Sequence, residues 1–320
     1  MRDGPGSDPD RRSHADVHVV SVHGDDVVDR NDVVVVEEPL AIRLRAGDDT
    51  ATVAVTMRTP GDDLDLALGF LLTEGVVRDA GDVLDVAWCP DDGDRADGVD
   101  GADGVGAVGN VVTVTVRGAM PDLGHLQRHG TISSACGVCG RTSIDDLADR
   151  AAVEAAGTPT AATVGAAVLT ALPARLAAAQ RLFASTGGLH AAARFSRDGE
   201  LIDLREDVGR HNALDKLIGV AARRGDVDWS DDIVLLSGRA SWELLSKAVV
   251  VRAGIVAAVG APSSLAVAVA QRYGVTLVGF LRDHRFNIYA HPARLVGHRP
   301  DLGSVLEPID PLQPIDEVVR

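Results

Sequence analysis

Two thiols three positions apart, Cys136 and Cys139 in the run Ser134-Ala135-Cys136-Gly137-Val138-Cys139-Gly140-Arg141, are the residues of this chain whose type and spacing most directly offer chemistry. Such a pair can share a metal ion, close a disulfide or carry a sulfur atom. As a metal site it is short of ligands unless His125 and His129 complete a set of two His and two Cys, at a spacing shorter than that of an ordinary zinc finger. As a thioredoxin-like redox centre it lacks the preceding apolar strand. A sulfur carrier fits best: Gly137 and Gly140 make for a mobile, exposed loop, and a thiolate that attacks a sulfur donor becomes a persulfide that a second group can take up. The two thiols differ. Arg141 and a helix start at Ser143 favour the thiolate of Cys139, whereas Cys136 lies farther out and is freer to reach a partner. Cys89, in Ala87-Trp88-Cys89-Pro90, reads as a small buried hydrophobe.

Three polar loops form a second candidate. Ser237-Gly238-Arg239-Ala240-Ser241, Gly260-Ala261-Pro262-Ser263-Ser264 and Arg282-Asp283-His284-Arg285 each follow an apolar strand-like run. Beyond the carboxyl ends of strands, glycines allow close backbone approach and helix N-termini point amides outward. With three arginines added, the set is what a phosphate or pyrophosphate requires. The plain alternative is that Ser241 and Ser263 cap helices and the arginines are solvated. A further polar stretch runs from Arg205 to Lys216, with a helix starting at Asp207; His211 and Asp215, four apart, share its face as a site pair or a surface salt bridge.

These residues need elements to hold them. The β-branched runs 33–36, 41–45, 51–57 and 111–116 predict strands, and Leu64, Leu68, Leu71 and Leu72 predict a helix begun by Asp62 and ended by Gly75, packed on that sheet. Farther on, strands over 233–236, 255–259 and 275–281 alternate with helices over 240–252 and 263–273, followed by a strand over 286–290. That alternation predicts an α/β layer with partly parallel strands. Residues 1–16 and 94–109 have the composition of flexible segments, and 302–320, with four acids and three prolines, that of a loose tail.

Composition sets limits on function. A chain of 320 residues with 46% hydrophobic and only 3% aromatic residues can bury an aliphatic core in about two domains. A net charge of −16 excludes a broad phosphate-binding face for nucleic acid, so any anionic ligand must meet a local basic pocket. Three cysteines do not make a secreted disulfide framework, and neither a signal-like apolar start nor a run able to span a bilayer is present, so a reduced cytoplasmic protein without membrane contact is expected.

Eight stretches, in order, are similar to a known family: Glu37 to Leu40, Met57 to Asp63, Ser134 to Arg141, Thr186 to His190, Arg205 to Lys216, Ser237 to Arg239, Ala261 to Ser264 and Gly279 to Tyr289. By these the chain resembles the formate dehydrogenase accessory sulfurtransferases, FdhD, over roughly residues 35 to 298. The resemblance implies a cytoplasmic, usually dimeric sulfur carrier. It would take sulfur from a cysteine desulfurase and hand it to the molybdenum (or tungsten) bis-guanine-dinucleotide cofactor before formate dehydrogenase receives that cofactor. Carried over, Cys136 would hold the persulfide and Cys139 would assist relay or release. Phe280, Leu281, Arg282, Asp283, His284 and Arg285 would form the cofactor-binding stretch. No resident metal is implied.

The family is also similar in fold to cytidine deaminases. A zinc deaminase needs His-x-Glu and Pro-Cys-x-x-Cys, and this chain has His190-Ala191-Ala192 and Pro262-Ser263-Ser264-Leu265-Ala266 instead, which excludes deamination. The expected architecture is therefore mixed α/β: a tail over 1–16, a small β-rich domain over 17–133, a mobile thiol loop over 134–141, a deaminase-like three-layer domain over 142–300 and a tail over 301–320. Two other readings stay open on the residues alone. One is a zinc-stabilised module that delivers the cofactor without sulfur chemistry; the other is a dithiol oxidoreductase.

Overall fold

The computed structural model describes residues 13–89, 110–124, 163–282 and 284–296. In chain order the strands and α-helices are β1 (His14–His23), β2 (Asp26–Val35), β3 (Glu38–Ala46), β4 (Asp49–Arg58), α1 (Asp63–Thr73), β5 (Val83–Trp88), β6 (Val111–Val116), β7 (Val164–Gly165), α2 (Ala166–Ala179) and α3 (Arg181–Thr186). They continue with β8 (His190–Phe195), β9 (Leu201–Asp207), α4 (Arg210–Arg223), β10 (Ile233–Leu236), α5 (Trp242–Val250), β11 (Ile255–Ala258), α6 (Ser264–Tyr273), β12 (Thr276–Arg282), β13 (Arg285–Ala290) and β14 (Leu295–Val296). The mixed α/β class expected from sequence holds. The expected flexible start gives way at His14, where β1 begins and pairs antiparallel with β2. The segments 94–109, 134–141 and 301–320 lie outside the described residues.

Two compact units divide the chain, and the division is not sequential. The first takes in the described residues up to 124 together with Gln180–His190 and Glu206–Gly225; the second takes in 163–179, Ala191–Arg205 and everything described from Asp226 onward. A single domain over 142–300 was expected, but α4 belongs to the first unit.

In the first unit a four-stranded sheet runs β4-β3-β6-β5, with β3 and β6 parallel and the other pairs antiparallel. Alternation along β3 turns Leu40, Ile42 and Leu44 inward, and along β6 Val112 and Val114, all fully buried. Helix α1 packs on β5 and β6 as the leucine spacing predicts. It is buried on nearly every side because α4 covers its other face. The two helices meet backbone to backbone: a methyl group at Gly69 would overlap the carbonyl of Asp215, and one at Gly219 the carbonyl of Asp65. Only glycine permits that approach, and this is why α4 groups with α1 rather than with its sequence neighbours.

The second unit is built on a six-stranded sheet of order β13-β12-β11-β10-β8-β9. Strands β10, β11 and β12 are parallel, while β8 and β13 run antiparallel to their neighbours. One face carries Ala191, Ala193, Phe195, Ile233, Leu235, Ile255, Ala257 and Val278 into a core closed by Leu169, Leu172 and Leu176 of α2. On the other side α5 and α6 pack together and α6 lies on β12 and β13. Both faces are thus covered, so β10 and β11 are apolar throughout and buried at every position.

Candidate functional site

Because β10, β11 and β12 run parallel, their carboxyl ends lie at one edge of the sheet, and the three polar loops leave from there. Backbone bonds join them. Ala240 N–H donates to Ala261 O (3.2 Å), Ser263 N–H to Ala240 O (3.0 Å), Gly260 N–H to Gly238 O (2.9 Å) and Phe280 N–H to Gly260 O (3.0 Å). Gly279 has no room for a side chain, since a Cβ there would lie 2.8 Å from Pro262 Cδ and 2.9 Å from Tyr289 Cε2. Ser263 caps α6, its hydroxyl accepting from Ala266 N–H (3.2 Å), whereas Ser241 at the start of α5 makes no side-chain cap. The capping role expected of the serines therefore holds for one of them. Ser237 is a strand-edge residue, with Oγ accepting from Ala191 N–H at 2.8 Å.

The β12–β13 hairpin carries the expected cofactor stretch, and an irregularity decides where its side chains go. Gly279 stands opposite Asn287, and Arg282 opposite Arg285, so between these two pairs β12 contains one residue more than β13. Phe280 takes up that residue in the left-handed region, at φ 54°. The shift sends Leu281, fully buried, into the core beside Val278 and turns Arg282 outward, across from Arg285. Arg282, His284, Arg285 and, from the first loop, Arg239 are exposed, while Phe280 is half-buried with the Arg282 guanidinium 6.0 Å from its ring centroid. Among the described residues none of the three arginines pairs with a carboxylate. Leu281 can meet a ligand only through its backbone, and Asp283 lies outside the described residues. Sequence reasoning had no signal for the bulge, nor for Tyr289 and Asn287 lining the same face of β13.

The Arg205-to-Lys216 stretch has a different role. In the first unit Arg58 is fully buried, with Nε donating to Asp63 Oδ1 (2.8 Å), Nη2 to Asn110 Oδ1 (3.0 Å) and Nη1 to Glu38 Oε2 (3.2 Å). Asp207, also fully buried, accepts from Lys216 Nζ (2.7 Å), Thr59 N–H (3.1 Å), Gly209 N–H (2.8 Å) and Asn212 Nδ2 (3.0 Å). Lys216 Nζ also donates to Thr59 O (2.8 Å) and Asn212 Nδ2 to Met57 O (2.7 Å). These charges fix the β4–α1 turn against the start of α4. Of the two readings of His211 and Asp215, a site pair or a surface salt bridge, the surface one fails because both are buried; Asp215 Oδ1 accepts from Thr73 Oγ1 of α1 at 2.8 Å. His190, half-buried, has its pKa lowered from the ordinary value first by burial and then by the charges of Arg210 and His211, against an opposing pull from Asp207.

Cys136, Cys139, His125 and His129 lie outside the described residues. Among the described residues no group of three or more His, Cys, Asp or Glu could hold a metal ion, and no helix is long and apolar enough to cross a membrane. Cys89 is half-buried at the end of β5, with its N–H bonded to Val111 O at 2.9 Å.

The model of the FdhD/NarQ family matches residues 35–296. The chain belongs to the FdhD/NarQ family. It is 46% identical over 282 residues to the sulfur carrier protein FdhD of Streptomyces coelicolor, covering 87% of this chain and 94% of that one. With the sulfur carrier protein FdhD of Mycolicibacterium paratuberculosis it shares 44% identity over 268 residues, 83% of this chain and 93% of that one. A solved formate dehydrogenase accessory protein from Desulfotalea psychrophila has the same fold, with a TM-score of 0.65 at 20% identity over 89% of this chain and all of the other. The FdhD/NarQ match takes in both the buried network of the first unit and the basic hairpin of the second.

Proposed function

We propose that this member of the FdhD/NarQ family carries sulfur as a persulfide on Cys136 and delivers it, in the cytoplasm, to a molybdenum bis-guanine-dinucleotide cofactor destined for formate dehydrogenase. The Cys136 thiolate attacks the outer sulfur of a cysteine desulfurase persulfide, the S–S bond there breaks, and the desulfurase thiolate leaves. Attack by Cys139 on Cys136 Sγ then releases the sulfur as hydrosulfide, the dithiol supplying both electrons and ending as a disulfide. The cofactor is cargo. Its pyrophosphates suit Arg282 and Arg285, with Arg239 on the loop after β10 as a further cation.

The observation that carries this reading is the placement of Arg282 directly across from Arg285 at the carboxyl edge of a parallel sheet. Like charges in that position cost stability, and a bound dianion reverses the sign of the interaction. The test has two arms. Intact mass after incubation with a desulfurase and cysteine should show one added sulfur, sensitive to reductant and absent in Cys136→Ala. Guanosine diphosphate, a fragment of the cargo, should bind about ten-fold or more weakly to Arg282→Ala and Arg285→Ala. Unchanged nucleotide affinity removes the arginines from the site, and no sulfur on any form removes the carrier role and leaves the cofactor-delivery module.

A further inference from the structure

The β1–β2 hairpin precedes the family match except for its last residue, Val35. Its two strands of ten residues form a sheet by themselves, with both long edges unpaired among the described residues. Helix α3 packs against β2, but neither long edge has a strand paired to it among the described residues, and an open edge is a template for another strand. Valines make it more so: Val27, Val28 and Val34 are 65%, 56% and 41% exposed.

The order of residues along β2 says what fits that edge. Val36 N–H donates to Ser13 O, so with the period of two the even-numbered residues of β2 direct their backbone groups to β1, and Val27, Asp29, Asn31, Val33 and Val35 direct theirs outward. Val33 N–H is covered for now by the neighbouring Asp32 Oδ1, at 3.0 Å. If a second β2 is laid antiparallel along this edge with Asn31 opposite Asn31, the outward residues form the hydrogen-bonded pairs, Val27 with Val35 and Asp29 with Val33. The intervening pairs, where side chains approach most closely, are then Arg30 with Asp32 and Val28 with Val34, each occurring twice by symmetry. Sliding the register by two residues in one direction sets Arg30 against Arg30, and in the other Asp32 against Asp32.

We propose that β2 pairs with β2 of a second copy of this chain, across a two-fold axis at Asn31, to give a continuous four-stranded sheet. Arg30 and Asp32, 3.0 Å apart within one exposed strand, exchange partners across the axis. Asp32 thereby uncovers Val33 N–H for the new ladder, and the valines lose their exposure to one another.

Oxidative cross-linking of the full chain tests this register whatever other contacts the protein makes, with the linked peptides identified by mass. Asn31→Cys should give dimers joined through position 31, where α-carbons about 5.5 Å apart suit a disulfide. Asp29→Cys should not, because its symmetry mate lies four residues away, about 13 Å. Adding Arg30→Asp to Asn31→Cys should lower the linked fraction about ten-fold, and adding Asp32→Arg as well should restore it. Absence of linkage at position 31, equal linkage at 29 and 31, or no rescue by the double reversal would each overturn the proposal, the last pointing to an edge that accepts strands without regard to charge.

Discussion

Arg58, Asp63, Asp207 and Lys216 in the first unit are buried, and each ends on an opposite charge or a backbone group; Arg239, Arg282 and Arg285 in the second are exposed, and two of them face each other. Both sets lie within stretches that the family resemblance singled out. Burial and pairing separate their roles. A buried charge is held by partners that leave nothing for a ligand, and its loss is felt by the fold. An exposed pair of like sign contributes nothing to the fold and retains its full capacity for an anion. The contrast also reconciles a chain of net charge −16 with the proposed anionic ligand, since three exposed arginines lie on the loops that leave one sheet edge.

The sharpest way to break this comparison is Asp207→Ala. It strands Lys216 in the interior and removes the acceptor of three further hydrogen bonds. We expect a loss of about 3–5 kcal/mol in urea unfolding. A loss below about 1 kcal/mol would show that the network does not frame the first unit. Gly219→Ala should come next, at about 1–3 kcal/mol by the same measurement, because the new methyl meets the backbone of Asp65 rather than a side chain that could swing away. A neutral result would mean that α1 and α4 separate freely.

Arg282→Ala and Arg285→Ala should lie at the other extreme. Each relieves repulsion across the hairpin, so stability should stay within about 0.5 kcal/mol of the parent and move upward if at all, read as a small rise in Tm. A marked destabilisation would place these arginines with the structural set and sharpen the question of what the hairpin binds.

How far the sequence could be read follows the same division. The strands β10 and β11 are legible because both faces of the sheet are covered, so each is an unbroken apolar run followed by Ser237 or Gly260. The leucine spacing of α1 is legible for the related reason that a helix face was being counted. The allegiance of α4 was not, because it rests on Gly69 and Gly219, residues that carry no periodic signal yet fix a backbone contact far apart in sequence. Of hairpin β1–β2 only the end of β2, within the predicted strand 33–36, was legible, because Asp, His and Arg interrupt the other valines on both faces. At the site, Arg282 and Arg285 were legible as basic residues after a strand. Their opposition and the burial of Leu281 were not, since both come from one left-handed residue, Phe280, that shifts the alternation by a single position.

The smallest expected effect is at His190 of the first unit, which is half-buried beside Arg210, His211 and Asp207. Burial and the neighbouring positive charges lower its native pKa below the ordinary 6.5, whereas the unfolded chain keeps that value. Above pH 6.5 both states are neutral and His190 adds no pH dependence. As pH falls through 6.5 the unfolded state takes up a proton that the native state refuses, so stability is lost until the lower native pKa is reached, and below it the loss is constant. His190→Gln should therefore flatten the acid side of the stability profile while leaving the neutral side nearly parallel to the parent. The check is urea unfolding of both proteins on either side of pH 6.5, and an unchanged acid slope would show that His190 does not carry the loss.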